Sequence, residues 1–476
     1  MRFRRSLLAL AVSTPLVVSA IGVVPGRSAA TTPTKWQQNV VVIVTDDQRA
    51  DTINGGQNTL LSAMPNVQKY IVGKGVTFTN GFVTNPQCCP SRASIFTGEY
   101  SHGTGVYKNF PPNGGFASFN DTSTVATWLN RAGYDTALVG KYLNGYHGKY
   151  IPPGWDHWFA ADDKPAGLAY YDYHVNDNGT IRHYGSKPKD YGSTVMGNEA
   201  RDFILHAPSP FFLYFAVSAP HAPAVPPPGT RHRFSHIKPW RPPSYNEGDM
   251  SDKPPWARSL PKLGATQREN IDKFRKDQYR TLTGADDQVG KIIGALQDTG
   301  RLENTMVIFM SDNGILWGEH RFKSKRAAYE ESIRVPFVVR YDPIVQGKPR
   351  VDDRLVLGID VAPTLAALAG VPAPGADGRS LLQPLRYPFS SQWRSDFLVE
   401  HMREDAKDIP TYCAVRNETT MYVDYADGSQ ELYDLTNDPF ELQNQAKNPA
   451  YASTLSAMQA RLAELCVPPP PGSGLP

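Results

Sequence analysis

Cysteine is nearly absent from this chain: four in 476 residues, and two of them, Cys88 and Cys89, are adjacent. None has the two-residue spacing of a zinc ribbon or a thiol–disulfide motif, and no His/Cys cluster lies near the pair. Neighbouring cysteines do not readily bridge each other, because a trans dipeptide does not supply the separation and orientation a disulfide needs. A charge excess of one sign is also missing. Lys and Arg number 49 against 46 Asp and Glu, a formal charge of +3. Arg2, Arg4, Arg5 and Arg27 fall in the first 30 residues, which hold no acid; setting these four aside leaves 45 basic against 46 acidic groups, a net of −1. That balance excludes the basic footprint of a nucleic-acid binder. Beyond residue 30 there is no apolar run long enough to span a bilayer. With 40% hydrophobic and 20% charged residues, global disorder is excluded and the chain can bury a large core, one large domain plus a smaller one.

Residues 1–30 read as an export signal. MRFRR is basic, residues 6–24 are apolar, and Ser28, Ala29 and Ala30 offer a small-residue cleavage site. Arg4-Arg5 before Ser6-Leu7-Leu8 suits the twin-arginine route. The alternative is an uncleaved anchor; Pro15, Pro25 and the small exit favour cleavage. The expectation is a secreted or cell-envelope protein without stable membrane insertion.

The β-branched run at 39–45, NVVVIVT, predicts a strand buried on both faces of a parallel sheet. Similar runs recur at 135–140, 210–218, 305–310 and 336–340. Between them lie helical patterns, the clearest with Leu282, Ala285, Val289, Ile292 and Leu296 on one face, ended by Gly300. This alternation predicts an α/β fold: a large mixed, mostly parallel sheet flanked by helices. After a helix at 360–370 the texture changes to short β pieces at 412–415, 420–425 and 430–433, then a helix at 450–466. The expected layout is a signal at 1–30, a catalytic domain at 31–380 and a C-terminal α+β subdomain of antiparallel strands and a helix at 381–476. Residues 221–261, rich in proline, basic groups and tryptophan, are either the rim of a site for an anionic sugar or a solvated insertion.

The sequence around the cysteine pair, NPQCCPSRASIFTGEY, suggests a short amphipathic helix with Pro90 in its first turn and Gly98 as its stop. A buried thiol pair opening a core helix is one reading. The other is a reactive residue at a helix N-terminus, where free N–H groups favour an anion and Arg92 adds an oxyanion fork. Other polar groups also sit at predicted strand exits. Asp46 and Asp47 follow the first strand; Asp312 and Asn313 follow the 305–310 strand. These are hard oxygen donors, suited to calcium, with magnesium the alternative. Lys141, His221 and Lys325 occupy other exits. Together they predict a cationic pocket around a divalent ion, made for a tetrahedral oxyanion.

At these residues the chain resembles the sulfatase family of the alkaline phosphatase superfamily. CCPSRASIFTG is like that family's signature, and VIVTDDQRAD, SAPHAP, MSDNG, KRAAYEESIRVP, DVAPTLAALAG and ELYDLTNDPFE follow in the family's order. GKYLNGYHGKYIPPGW is most like the glucosamine-6-sulfatase branch. The resemblance implies an alkaline phosphatase-like fold and hydrolysis of sulfate esters, with a 6-O-sulfated glucosamine glycan as the substrate it favours. It implies that Cys88 is oxidised to formylglycine by a formylglycine-generating enzyme. It further implies that residue 88, Asp46, Asp47, Asp312 and Asn313 touch the metal, that Arg92 anchors the nucleophile, and that Lys141, His221 and Lys325 hold sulfate, His221 or Lys325 protonating the leaving alcohol. Many sulfatases carry a histidine where this chain has Leu143; elimination then falls to another group, with Asn144 hydrogen-bonding only, or to His221. His320 stands either at the pocket wall or as a helix cap. With Cys88 converted, Cys413 and Cys466 form the well-separated pair, either bonded or both reduced in the core. An arylsulfatase, a phosphonate or phosphate diester hydrolase, and a non-catalytic binder of sulfated glycans are the other readings.

Overall fold

The computed structural model describes residues 38–53, 63–163, 170–405 and 409–475, so the leader expected at 1–30 lies outside the described residues. Valine and isoleucine dominate β1 (Asn39–Thr45), which is buried along its whole length, as a strand covered on both faces must be. In chain order there follow β2 (Val76–Phe78), β3 (Gly81–Phe82), β4 (Asp135–Gly140), β5 (His157–Ala161), β6 (Tyr173–Asp177), β7 (Thr180–Tyr184) and β8 (Phe211–Ala216). Then come β9 (Thr305–Ser311), β10 (Phe337–Arg340), β11 (Arg350–Asp352) and β12 (Val356–Leu357).

Ten of these strands form one sheet in the order β11-β2-β10-β9-β1-β8-β4-β5-β6-β7. The central run β9-β1-β8-β4-β5 is parallel, whereas β10 and the β6–β7 hairpin join it antiparallel. Parallel order puts the carboxyl ends of β9, β1, β8 and β4 along one edge, where ligands bind in open α/β sheets. One face carries Val40, Val42 and Val44 with Phe212 and Tyr214; the other carries Val41 and Ile43 with Leu213 and Phe215. Each fully buried Val or Phe of this kind contributes about 1.5–3 kcal/mol.

The Leu282–Leu296 stripe belongs to a much longer helix, Ala265–Asp298. Its early turns are rich in charge, which hides Ile271 and Tyr279, buried in the same core as the stripe. Helix Cys88–Thr97 corrects the amphipathic expectation. All ten residues are buried, because the helix is enclosed by the sheet, the helix Val361–Ala369 and neighbouring loops.

The C-terminal sheet is antiparallel and has four strands: β13 (Asp396–His401), β14 (Tyr412–Asn417), β15 (Thr420–Tyr425) and β16 (Gln430–Asp434). The first of these was not foreseen, since DFLVEH ends in charged groups that mask its strand character. One face, with Phe397, Val399 and Val423, shares a core with Phe82 of β3, which pairs with β12 in a separate two-stranded sheet, and with Leu316 and Ala327–Tyr329 of the segment after β9. The other is covered by the helix Ala452–Leu465, and Cys413 in β14 is disulfide-bonded to Cys466 at that helix's end. From Gln37 onward the chain forms one compact unit. Among the described residues no helix is long and apolar enough to cross a membrane.

Candidate active site

Register decides which strand-end residues meet. Thr45 of β1 stands opposite Ser311 of β9, so the next residues, Asp46 and Asp312, emerge side by side. On the other flank Val44 faces Ala216, and Ala216 faces Gly140. Gly140 has φ +119°, and a Cβ there would lie 1.8 Å from the Ala216 carbonyl oxygen. Only glycine lets the chain pass so close. That approach forms the bond from the Lys141 amide to the same carbonyl, 2.8 Å, and aims Lys141 back toward β1.

The helix Cys88–Thr97 points its first turn at this edge. The Cys88 thiol donates to Asp46 Oδ1 at 3.4 Å and accepts from Lys325 Nζ at 2.8 Å. Lys325 also bonds Asp47, and Lys141 Nζ reaches Asp46 Oδ2 at 2.5 Å. Arg92 donates from Nε to Asp312 Oδ2 (2.8 Å) and from Nη1 to the Lys141 carbonyl (2.8 Å), with Nη2 3.6 Å from Asp46. Asn313 donates to Asp47 Oδ1 at 2.6 Å. His221 Nε2 lies 3.6 Å from Asp47 Oδ2, its Nδ1 hydrogen-bonding the Ala222 carbonyl at 2.6 Å. Asp46, Asp47, Cys88 and His221 offer ligand atoms all within 4.8 Å of one another.

Asp46, Arg92 and Asp312 are fully buried, while the His221 side chain keeps 24% exposure and marks the open side. Burial opposes the charge on Asp46, but Lys141, His221, Arg92 and Lys325 prevail and hold its carboxyl far below the usual range. Burial, with repulsion from Asp46, pushes the Asp312 carboxyl up. Burial also opposes the Lys325 ammonium, yet Asp47 and Cys88 outweigh it and raise its pKa well above normal. The Cys88 thiol is pushed up to about 12 by burial and by the charge of Asp46. The helix N-terminus therefore does not yield a thiolate here.

Asp46, Asp47, Cys88 and His221 form a group able to hold a metal ion, and the neighbouring Asn313, whose amide nitrogen bonds Asp47, keeps a buried Oδ1 with no hydrogen-bond partner among the described residues.

The remaining predicted residues lie elsewhere. Leu143 is packed in the core with Phe96 and Tyr142, so that position brings no titratable group. Asn144 is half-buried, and its backbone lies against the thiol of Cys89, not Cys88. His320 belongs to a second cluster with Glu331 and Glu441 and caps no helix. Residues 221–261 are folded down rather than free: Arg241 pairs with Asp272, and Arg275, Lys276 and Arg280 of the long helix bond carbonyls of that segment.

Two supports escaped the sequence reading. Tyr170 donates to the carbonyls of Ser218 and His221, at 3.2 and 2.8 Å, fixing the turn that presents His221. Asp47 itself has φ +67°, a backbone strain typical of functional sites. Neither has a local sequence signal.

The sulfatase family model matches residues 38–371, and the C-terminal model of N-sulphoglucosamine sulphohydrolase matches 318–467. N-acetylglucosamine-6-sulfatase of Homo sapiens is 31% identical over 461 residues, 86% of this chain and 81% of its own. The extracellular sulfatase SULF-1 homologue of Drosophila melanogaster is 32% identical over 390 residues, 78% of this chain. This chain spans about a third of that protein (34%) and half of the Caenorhabditis elegans Sulf-1 homologue (52%). BT4656, solved with its substrate D-glucosamine-2-N,6-O-disulfate, superposes with TM-score 0.79 at 22% identity, covering 90% of this chain and 97% of its own. With the family model spanning well over half of its length, the chain belongs to the sulfatase family.

Proposed function

We propose that this protein is a sulfuric ester hydrolase acting on 6-O-sulfated glucosamine or N-acetylglucosamine in glycans, with formylglycine at position 88. What carries the proposal is the setting of the Cys88 side chain, between the Asp46 carboxylate and the Lys325 ammonium. The preference for glucosamine is supported by the relatives named N-acetylglucosamine-6-sulfatase and by the substrate bound to BT4656.

The buried thiol, with its pKa pushed to about 12, is a poor nucleophile, and a thiol attacking sulfur would leave an adduct with no easy exit. Converted by a formylglycine-generating enzyme and hydrated, residue 88 supplies one hydroxyl to attack sulfur and a second to release it; Cys88 Sγ stands in for the first of these. Asp46, Asp47, Asp312 and Asn313 would hold a hard cation, calcium or magnesium, which would supply polarisation of the sulfate and a lowered nucleophile pKa.

The chain's own groups do the rest. Lys325 and Lys141 offer ammonium donors where oxyanion charge builds up. Arg92, fixed by Asp312 and the Lys141 carbonyl, holds the floor of the site and keeps the first turn of its helix in register. Lys325, its pKa raised by Asp47, keeps its proton at neutral pH, so protonation of the departing alcohol is assigned to His221 at the open side. With Leu143 in the core, His221 is also the group placed to take a proton during elimination.

In this reading residues 31–380 carry the chemistry, 381–476 form the C-terminal subdomain, and the protein works outside the cytoplasm. The exposed basic groups of 221–261 are the segment proposed to meet the glycan. Mass spectrometry of the residue-88 peptide, together with turnover on glucosamine 6-sulfates, aryl sulfates and phosphonate esters, tests the reading. An unconverted Cys88 in active protein would sink the mechanism. Turnover confined to aryl sulfates or phosphonates would sink the substrate.

A further inference from the structure

A second cluster lies beside the C-terminal sheet. One ring nitrogen of His320 and one oxygen each of Glu331 and Glu441 fall within 4.8 Å of one another. Around a tetrahedral ion with metal–ligand distances of about 2.0–2.2 Å, neighbouring donors are roughly 3.4 Å apart. His320 and Glu441 are each only 1% exposed. Three atoms here, His320 Nε2, Glu331 Oε2 and Glu441 Oε1, are buried with no hydrogen-bond partner among the described residues. Single orphans of this kind are uncommon in folded proteins, and three in one cluster need a common explanation.

The tautomer supplies one. His320 Nδ1 bonds Glu247 Oε2 at 2.7 Å. A carboxylate only accepts, so Nδ1 carries the hydrogen, and in the neutral ring Nε2 keeps its lone pair. A histidine that donates one N–H to a carboxylate and turns its other nitrogen to an acidic cluster has the arrangement of a metal ligand with its supporting partner. Lys253 Nζ, 3.3 Å from the other oxygen of Glu247, steadies that partner. The backbone is committed as well: His320 and Glu441 both adopt positive φ, +49° and +55°, a cost that surrounding structure must offset. Glu441 also accepts from the Glu330 amide at 3.0 Å, which orients its carboxylate toward the cluster. Glu331 also lines a surface cavity of about 240 Å³.

We propose that His320, Glu331 and Glu441 form a second divalent-cation site, separate from that at Cys88, for a transition metal ion of the zinc class. One nitrogen and two carboxylates suit zinc better than the all-oxygen set at Asp46 suits it. The site has a purpose in the fold. His320 and Glu331 bracket the loop that presents Lys325 to Cys88, and Glu441 comes from the segment after β16. The ion fastens that loop to the C-terminal segment and thereby fixes Lys325.

The test counts metal, not turnover. Intact protein is stripped with a chelator, re-equilibrated with Zn2+ and excess Ca2+, desalted and analysed for both elements. Wild type should hold one zinc more per chain than Glu441→Gln or His320→Gln, at equal calcium content. Co2+ in place of zinc should give visible d–d bands that both substitutions abolish. Glu247→Gln should weaken zinc binding about 10–100-fold. Equal zinc in wild type and in the isosteric Glu441→Gln protein, with a native near-UV circular dichroism spectrum, would overturn the proposal. So would failure of wild type to take up Zn2+ or Co2+, which would mean that the carboxyls share protons instead.

Discussion

Lys325 Nζ rests 2.8 Å from Cys88 Sγ across 237 residues of sequence, and the same ammonium bonds Asp47. One ammonium thus ties the helix Cys88–Thr97 to the end of β1. Lys325→Ala should lower kcat by two orders of magnitude or more, the scale expected on losing a preorganised donor. Lys325→Arg should recover little, because a planar fork does not fit where a point charge sits. Steady-state kinetics decide it; near-wild-type kcat in Lys325→Ala would remove this residue from the site.

Cys88→Ala should abolish turnover with little change in melting temperature. Cys89 packs in the core and its backbone amide bonds Asn109, so Cys89→Ala should stay active and lose about 1–2 kcal/mol of stability to the cavity left behind. Kinetics and thermal melts of the pair give the answer. The reverse pattern would mean that the other cysteine is the one converted.

Asp312 neutralises the buried Arg92 and, in the proposed function, holds the ion. Asp312→Ala should cost about 3–5 kcal/mol through the unpaired guanidinium and should also erase the protection that calcium gives. Wild type should gain about 2.7 kcal/mol when calcium reaches ~100 times its Kd. Chelator titration followed by thermal melts reads both effects. A mutant still stabilised by calcium as strongly as wild type would exclude Asp312 as a ligand.

The Cys413–Cys466 bond closes a separation of 53 residues. On the chain-entropy account such a loop contributes roughly 4 kcal/mol. Reduction, or Cys466→Ser, should therefore loosen the helix Ala452–Leu465 first, seen as faster hydrogen exchange there while β1 stays protected. Unchanged exchange after verified reduction would show that the bond contributes nothing.

His401 is fully buried in β13. Burial first, then Arg326, depress its pKa from 6.5 to about 3. The folded state therefore resists protonation, so this stability is complete above the unfolded value and is lost as pH falls from 6.5 toward 3. At pH 4 the loss comes to about 3 kcal/mol. Comparing denaturant midpoints of wild type and His401→Leu at pH 7.5 and 4 isolates it; equal pH dependence in the two would exclude His401 as the cause.

Much of the architecture and the chemistry was present in short stretches of sequence. NVVVIVT specifies a strand with no exposed face, and the polar residues that follow β1, β4 and β9 are confined to strand exits because the strands themselves admit only apolar groups. Asp46, Lys141 and Asp312 could therefore be named without coordinates. Tertiary structure decided the partnerships, which depend on strand register and on the glycine at 140: Arg92 on Asp312, Lys141 on Asp46, Lys325 on Cys88. It also enclosed a helix that looked amphipathic, set the Asn144 backbone against Cys89 rather than Cys88, and brought Glu441 to His320 and Glu331 from a segment more than a hundred residues away. Periodicity is a property of neighbouring residues and can be read locally. The pairing of charges and the orphaning of lone pairs arise only when segments hundreds of residues apart are brought together and the water between them is removed.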